Sequence, residues 1–113
     1  MHELSIMQSA LQMAIDQAKV HGAKQVHELR LRIGTLSGVV PESLEFCFEA
    51  ASLGTIAEGA TLVMETVPAA CWCDQCQKLF VCGEMWNECP DCKSPSFDLR
   101  QGRELEVISF EVS

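Results

Sequence analysis

Cys73, Cys76, Cys89 and Cys92 form two Cys-x-x-Cys pairs separated by residues 77–88. Each pair fits one tight turn with both sulfurs aimed at a common point, and two such turns complete a tetrahedron of thiolates. Zinc favours that arrangement, because a d¹⁰ ion asks only for four soft donors at a fitting distance. Four thiolates leave no open position for water or substrate, so the spacing predicts a structural site. A rubredoxin-like iron centre is the rival, since Cys89-Pro90-Asp91-Cys92 also suits an iron knuckle. Lys78 and Lys93 follow the pairs closely, where an ammonium offsets part of the site's negative charge. Cys71 and Cys82 are spare, and Cys71-Trp72-Cys73 lets Cys71 stand in for Cys73, although the Cys-x-x-Cys turn favours Cys73. Cys47, between Phe46 and Phe48, reads as core.

Met1-His2-Glu3 is the second candidate. A large residue after the initiator hinders methionine removal, so the α-amine of Met1 is expected to persist. That amine, the His2 amide nitrogen and the His2 imidazole can close adjacent chelate rings around one ion. Nitrogen-rich, square-planar donors suit Ni(II) or Cu(II), and Ni(II) outranks Zn(II) there in the Irving–Williams order. Glu3 brings negative charge to a helix end that otherwise disfavours a cation. The ligands must lose protons, so binding is expected to weaken as pH falls. On residue chemistry alone, a His at position two reads first as an ordinary frayed terminus, and metal binding is the lesser reading. His21 reads as a helix-end residue and His27 as a strand or loop residue.

The elements that must position these groups are legible from periodicity. Leu4, Met7, Leu11, Ala14, Ile15 and Ala18 make one apolar helical stripe, stopped at His21-Gly22. Leu29, Leu31 and Ile33 alternate with Glu28, Arg30 and Arg32, the pattern of a half-buried strand. Gly34 to Gly38 is a loop. Pro41 opens a second helix with a buried face of Leu44, Cys47, Phe48 and Ala51, ended by Gly54. Leu62 to Val67, closed by Pro68, and Leu105 to Val112 read as strands. The strand–helix–strand order fits a right-handed crossover and a parallel pair.

The cysteine segment lies between two strands that need a shared sheet, so it is an insertion. The fold class is α+β: a small mixed β-sheet with two α-helices, plus an inserted zinc-ribbon-like four-cysteine domain. The boundaries are 1–69 with 99–113 for the first domain and 70–98 for the second. The inserted segment carries little apolar content, so metal ligation is expected to supply much of its folding free energy.

Composition removes several functions. The chain has 113 residues, with 16 acids against 8 bases and a formal charge of −8, whereas nucleic-acid binders present basic stripes. No run approaches the ~20 apolar residues a membrane span requires. The opening residues lack the basic and apolar regions of a secretory signal. The 7 cysteines are an odd number, which argues against a complete disulfide framework and for a reducing, cytoplasmic setting. There is no Ser/His/Asp or Cys/His grouping and no G-x-x-x-x-G-K-[ST] phosphate loop, so no enzyme is expected.

Met1-His2-Glu3-Leu4-Ser5, the His21-Gly22-Ala23 helix end, Ile33-Gly34, Ala57-Glu58-Gly59 and the paired cysteines together resemble the HypA/HybF family, nickel metallochaperones for [NiFe]-hydrogenase maturation. The resemblance runs nearly the full length. It implies a nickel-binding domain in which the N-terminal amine and His2 bind nickel with Glu3 beside them, and a structural zinc at Cys73, Cys76, Cys89 and Cys92. It also implies delivery, with the GTPase HypB, to the hydrogenase large subunit precursor. Some relatives serve urease. Monomer and homodimer both remain open, because the final strand can complete its own sheet or that of a second copy.

Overall fold

The computed structural model describes residues 3–83 and 87–113. Two helices, α1 (Glu3–Val20) and α2 (Pro41–Ser52), accompany six strands. These are β1 (Val26–Gly34), β2 (Thr61–Val67), β3 (Ala70–Cys73), β4 (Lys78–Val81), β5 (Leu99–Gln101) and β6 (Leu105–Val112). They make two three-stranded sheets, ordered β2-β1-β6 and β4-β3-β5. The chain divides into two compact units. One comprises Met1–Arg32, Val39–Glu65 and Glu106–Ser113, the other Ile33–Gly38 and Thr66–Leu105.

In the first unit, α1 buries Met7, Leu11, Ala14, Ile15 and Ala18. Its stop is a Schellman motif: Gly22 takes φ +73°, Ala23 donates to the Ala18 carbonyl at 2.8 Å, and Gly22 donates to Lys19 at 3.0 Å. Only glycine adopts that φ without a Cβ penalty. α2 packs against α1 and starts with Pro41 in its first turn, with no side-chain cap from Val40. Its buried row is Leu44, Phe48 and Ser52, whereas Cys47 and Ala51 are only half-buried. The expected face was therefore turned slightly: the helix meets its neighbour along the i, i+4, i+8 row, and Cys47 flanks the contact instead of filling it.

β1 buries Leu29 and Leu31 and turns Glu28, Arg30 and Arg32 toward the other face. Arg30 reaches Glu65 of β2 at 3.2 Å, and Arg32 reaches Glu106 of β6 at 3.0 Å. Such exposed pairs contribute little to stability, but they favour the register that puts leucines inward. Lys24 and Gln25 donate to the Ser113 carbonyl at 2.7 and 3.1 Å, which sets the end of β6 beside the start of β1 in antiparallel order. β2 reaches β1 through the α2 crossover, so the sheet is mixed.

In the second unit, the chain after β1 is tied down by Gly34 donating to Glu104 at 2.7 Å, Thr35 to Val67 at 3.0 Å and Leu36 to Gly102 at 2.7 Å. Gly34 lies so close to the Gly102 carbonyl that a Cβ there would overlap it. Gly102 itself has φ +122°, and a Cβ on it would lie 2.6 Å from the Ala69 Cα. Two glycines thus permit one close backbone crossing.

The small sheet of this unit was not expected. β3 pairs antiparallel with β4, Cys71 opposite Phe80 and Cys73 opposite Lys78, and also with β5 across a bulge at Ala70/Cys71. Ala69, Cys71, Cys73, Phe80, Cys82 and Cys89 are buried together, with Leu36, Cys76, Cys92 and Leu99 packed against them. The module therefore does have a core. Thiols build much of it, because an unionised cysteine behaves as a small hydrophobe. Among the described residues, no helix is long and apolar enough to cross a membrane.

Candidate metal centre

Two short turns bring the four cysteines together, and they share one backbone design. In the first, Cys76 donates its N–H to the Cys73 sulfur at 3.4 Å, and Gln77 donates to the Cys73 carbonyl at 2.8 Å. In the second, Lys93 donates to the Cys89 carbonyl at 2.9 Å. The residue after each pair is left-handed, with φ 54° at Gln77 and 64° at Lys93. The positive φ folds the chain back under the sulfurs, a conformation that costs a non-glycine residue about 1–2 kcal/mol. The second turn is further fixed by Cys89 N–H to Ser94 at 2.9 Å and Ser96 N–H to Asn87 at 2.7 Å.

The sulfurs of Cys73, Cys76, Cys89 and Cys92 all lie within 4.8 Å of one another. Cys73 and Cys92 are 3.5 Å apart, and Cys76 and Cys89 are 3.8 Å apart. A tetrahedron with metal–sulfur bonds of about 2.3 Å has sulfurs about 3.8 Å apart, so this set fits a four-thiolate ion. Cys71 is not part of it. Its sulfur lies 3.0 Å from that of Cys82.

The thiols are chemically unequal. Hydrogen bonds from the Ser94 hydroxyl and N–H bring Cys92 down to about 6, while the hydrogen bond with Cys92 and then burial push Cys76 up to about 12. Burial, followed by Cys82, pushes Cys71 up to about 11. One of the four thiols is thus held toward its thiolate and another toward its protonated form. Lys78, expected to offset the site's charge, pairs with the Asp91 carboxylate and so ties the first turn to the second. On the outer face of β3, the Arg100 guanidinium lies 5.1 Å from the Trp72 ring centroid and binds Asp98 at 2.7 and 2.8 Å.

Of the amino-terminal candidates, Met1 and His2 lie outside the described residues. Glu3 occupies the first turn of α1, where its charge complements the helix dipole. Its Oε2 is buried without a hydrogen-bond partner among the described residues. Glu3, Leu4 and Ser5 line a cleft of about 630 Å³ with Glu42, Ser43, Phe46 and Cys47 of α2. Residue reading passed over Glu42 and misassigned Cys47. The available signal was spacing: 42, 43, 46 and 47 share one helix face beside the buried 44/48 row. Ser94 was missed as well, because hydrogen bonds to a ligand sulfur leave no mark in a spacing pattern.

The profile described as "Hydrogenase/urease nickel incorporation, metallochaperone, hypA" matches residues 1–112. The chain belongs to the HypA family. A hydrogenase maturation factor HypA from Picosynechococcus sp. is 45% identical over 112 residues, covering 99% of each chain. The HypA of Geobacter metallireducens is 42% identical over the same share of both chains. Two solved HypA structures have the same fold. One, a solution structure, has TM-score 0.74 at 23% identity and covers 100% of this chain and 97% of its own. The nickel metallochaperone from Helicobacter pylori has TM-score 0.65 at 22% identity, covering 99% and 97%. The HypA family is one of nickel-incorporation metallochaperones, and the four-cysteine group gives this member a site that fits a metal.

Proposed function

We propose that this chain carries Ni(II) on its amino-terminal residues and hands it, with a HypB-type GTPase, to the [NiFe]-hydrogenase large subunit precursor. The observation that carries this reading is the match to the nickel-incorporation family over residues 1–112. The α-amine of Met1 with the amide and imidazole nitrogens of His2 form the chelate, and Glu3 lies beside it. The Glu3 Oε2, without a partner among the described residues, supports an acidic role there, since a buried carboxylate oxygen without a donor is costly unless a cation or proton meets it. A chelate of few ligands suits a carrier, which must release its ion by ligand exchange. The sequence has no phosphate loop, so nucleotide hydrolysis belongs to the partner.

At Cys73, Cys76, Cys89 and Cys92 we assign a structural zinc, and to residues 70–98 a fold that depends on it. Held by these four thiolates, a zinc ion would supply cross-linking and offset part of their charge, with no catalysis expected of a four-thiolate site. This chain's own residues do the rest: Ser94 prepares the Cys92 thiolate, and Lys78 with Asp91 joins the two turns. Donor softness then sorts the metals, thiolates for zinc and nitrogens for nickel. Because the family description also names urease, urease maturation proteins are the second recipient to test.

A calorimetric nickel titration of zinc-loaded protein, beside a variant with one glycine added before Met1, tests the nickel site. The extension keeps every side chain but moves the α-amine out of its chelate ring. Loss of nickel binding with zinc and fold intact is the expected result. Equal binding in both proteins overturns the amino-terminal assignment.

A further inference from the structure

Cys71 and Cys82 belong to neither proposed metal site, yet they are the closest pair of sulfurs described, 3.0 Å apart. That separation is inside ordinary sulfur–sulfur contact and about 1 Å from a disulfide bond length. The placement follows from the sheet. Cys71 pairs with Phe80 across β3 and β4, and Cys82 stands two residues beyond Phe80, its N–H bonded to Ala69 at 2.9 Å. Both side chains therefore fall on the same face, at diagonal positions. They are 3% and 8% exposed, but both line a cavity of about 360 Å³ together with Leu36 and Leu99. That volume admits the arm of a small thiol compound.

We propose that Cys71 and Cys82 form a reversible dithiol/disulfide pair, oxidised by small-molecule disulfides, that staples β3 to β4 without consuming a metal ligand. The more exposed sulfur reacts first. Cys82 displaces one thiol from the small disulfide and becomes a mixed disulfide. Cys71 then attacks the Cys82 sulfur and expels the second thiol. Both protein S–H bonds are lost, their protons leave on the two small thiols, and the small disulfide takes up the electron pair. Nothing else is required.

The consequence lies in what the staple encloses. The first metal-binding turn, Cys73 to Cys76, sits inside the covalent loop from Cys71 to Cys82. In the reduced protein the β3–β4 hairpin depends on the metal to hold that turn. In the oxidised protein the hairpin is closed with or without metal, so a metal-stripped module keeps half of its site formed and refills it readily. The assignment of a structural zinc supplies this consequence, but the cross-link itself stands without it.

The test equilibrates the whole zinc-loaded protein in buffers of graded oxidised to reduced glutathione, then quenches, alkylates and maps the peptides. Expected is joint loss of Cys71 and Cys82 alkylation, with a linked peptide lighter by two hydrogens and zinc content unchanged. After chelation, the oxidised protein should keep slow amide exchange at Cys82 while the reduced protein loses it. A cross-link engaging Cys73, Cys76, Cys89 or Cys92, or oxidation of those before the pair, overturns the proposal. Equal exchange in both chelated forms overturns the stapling role. Cys71→Ala and Cys82→Ala should each abolish the linked peptide; if either fails to fold, the wild-type map still decides. A 71–82 link in protein that holds no zinc would retain the pair and remove the zinc assignment, so the two failures are distinguishable.

Discussion

Four side chains of one type, Cys73, Cys76, Cys89 and Cys92, hold the metal-sized cluster, but they do not start from the same protonation state. Cys92 lies near 6 because Ser94 donates to it, and Cys76 near 12 because of its hydrogen bond with Cys92. Both shifts act on the metal-free protein. A divalent ion binding at pH 7 must displace the Cys76 proton but finds Cys92 already ionised. Calorimetry in buffers of different ionisation enthalpy should therefore register proton release that is short of the full four-thiol set. Ser94→Ala removes the hydroxyl donor to Cys92, so proton release at pH 7 should rise and the onset of zinc binding in a pH titration should move upward. The sign follows from the direction of the shift: Cys92 is depressed, so its readiness is present above about 6 and fades below it. Zinc content measured across pH 5 to 8, about the range where this thiol changes state, checks both. For the ligands themselves, Cys73→Ala should lower zinc content and raise amide exchange within β3 and β4. Full zinc and native exchange in that variant would return Cys71 to the ligand set.

At the scale of elements, the long ones were legible and the short ones were not. The α1 stripe and its glycine stop, the alternation in β1, and the Pro41 start of α2 are each carried by many residues or by a residue with a backbone constraint. β3, β4 and β5 have four, four and three residues, too few for alternation to separate from chance. They were hidden further because the inward positions of β3 are Cys71 and Cys73, which read as chemistry before they read as core. The opposite reading turned the predicted face of α2: counting Cys47 as core shifted the stripe by one flank. The close crossing of Gly34 and Gly102 was not legible: Gly34 read only as a loop start and a motif residue, and Gly102 lies about seventy residues further along the chain, a kind of contact that local pattern does not encode. Gly34→Ala places a methyl group against the Gly102 carbonyl. Overpacking against backbone costs about 1–3 kcal/mol or more, and a lowered urea midpoint at unchanged zinc loading would register it. Gly54→Ala meets no atom within 4 Å and is the control, carrying only the φ +76° penalty.

For the whole molecule, the division into two units makes a separable prediction. The first unit owes its order to an ordinary hydrophobic core, Met7, Leu11, Leu29 and Leu44 being almost wholly inaccessible. The second has Phe80 as the one buried aromatic among its described residues and cysteines for much of the rest. Chelation should consequently leave the helical circular dichroism of α1 and α2 nearly intact while amides of β3 and β4 lose protection. Collapse of both signals together would mean the two units fold as one. The family could be read from motifs such as Met1 to Ser5 that resemble it, and the kind of site from spacing, because two turns of four residues carry the four cysteines. The hydrogen bonds that set their acidity and the pairing of Cys71 with Cys82 could not, because they depend on the register of strands too short to predict.

A core built from its own ligands has a cellular consequence. In most proteins a lost cofactor leaves a folded shell, and a protease finds little to grip. Here the sulfurs that would bind the ion also pack against Phe80, Leu36 and Leu99, so removing the ion loosens the packing that hides those side chains. Under the zinc assignment, metal scarcity is expected to yield exposed, cleavable chain, and the lifetime of the protein to follow the supply that fills it.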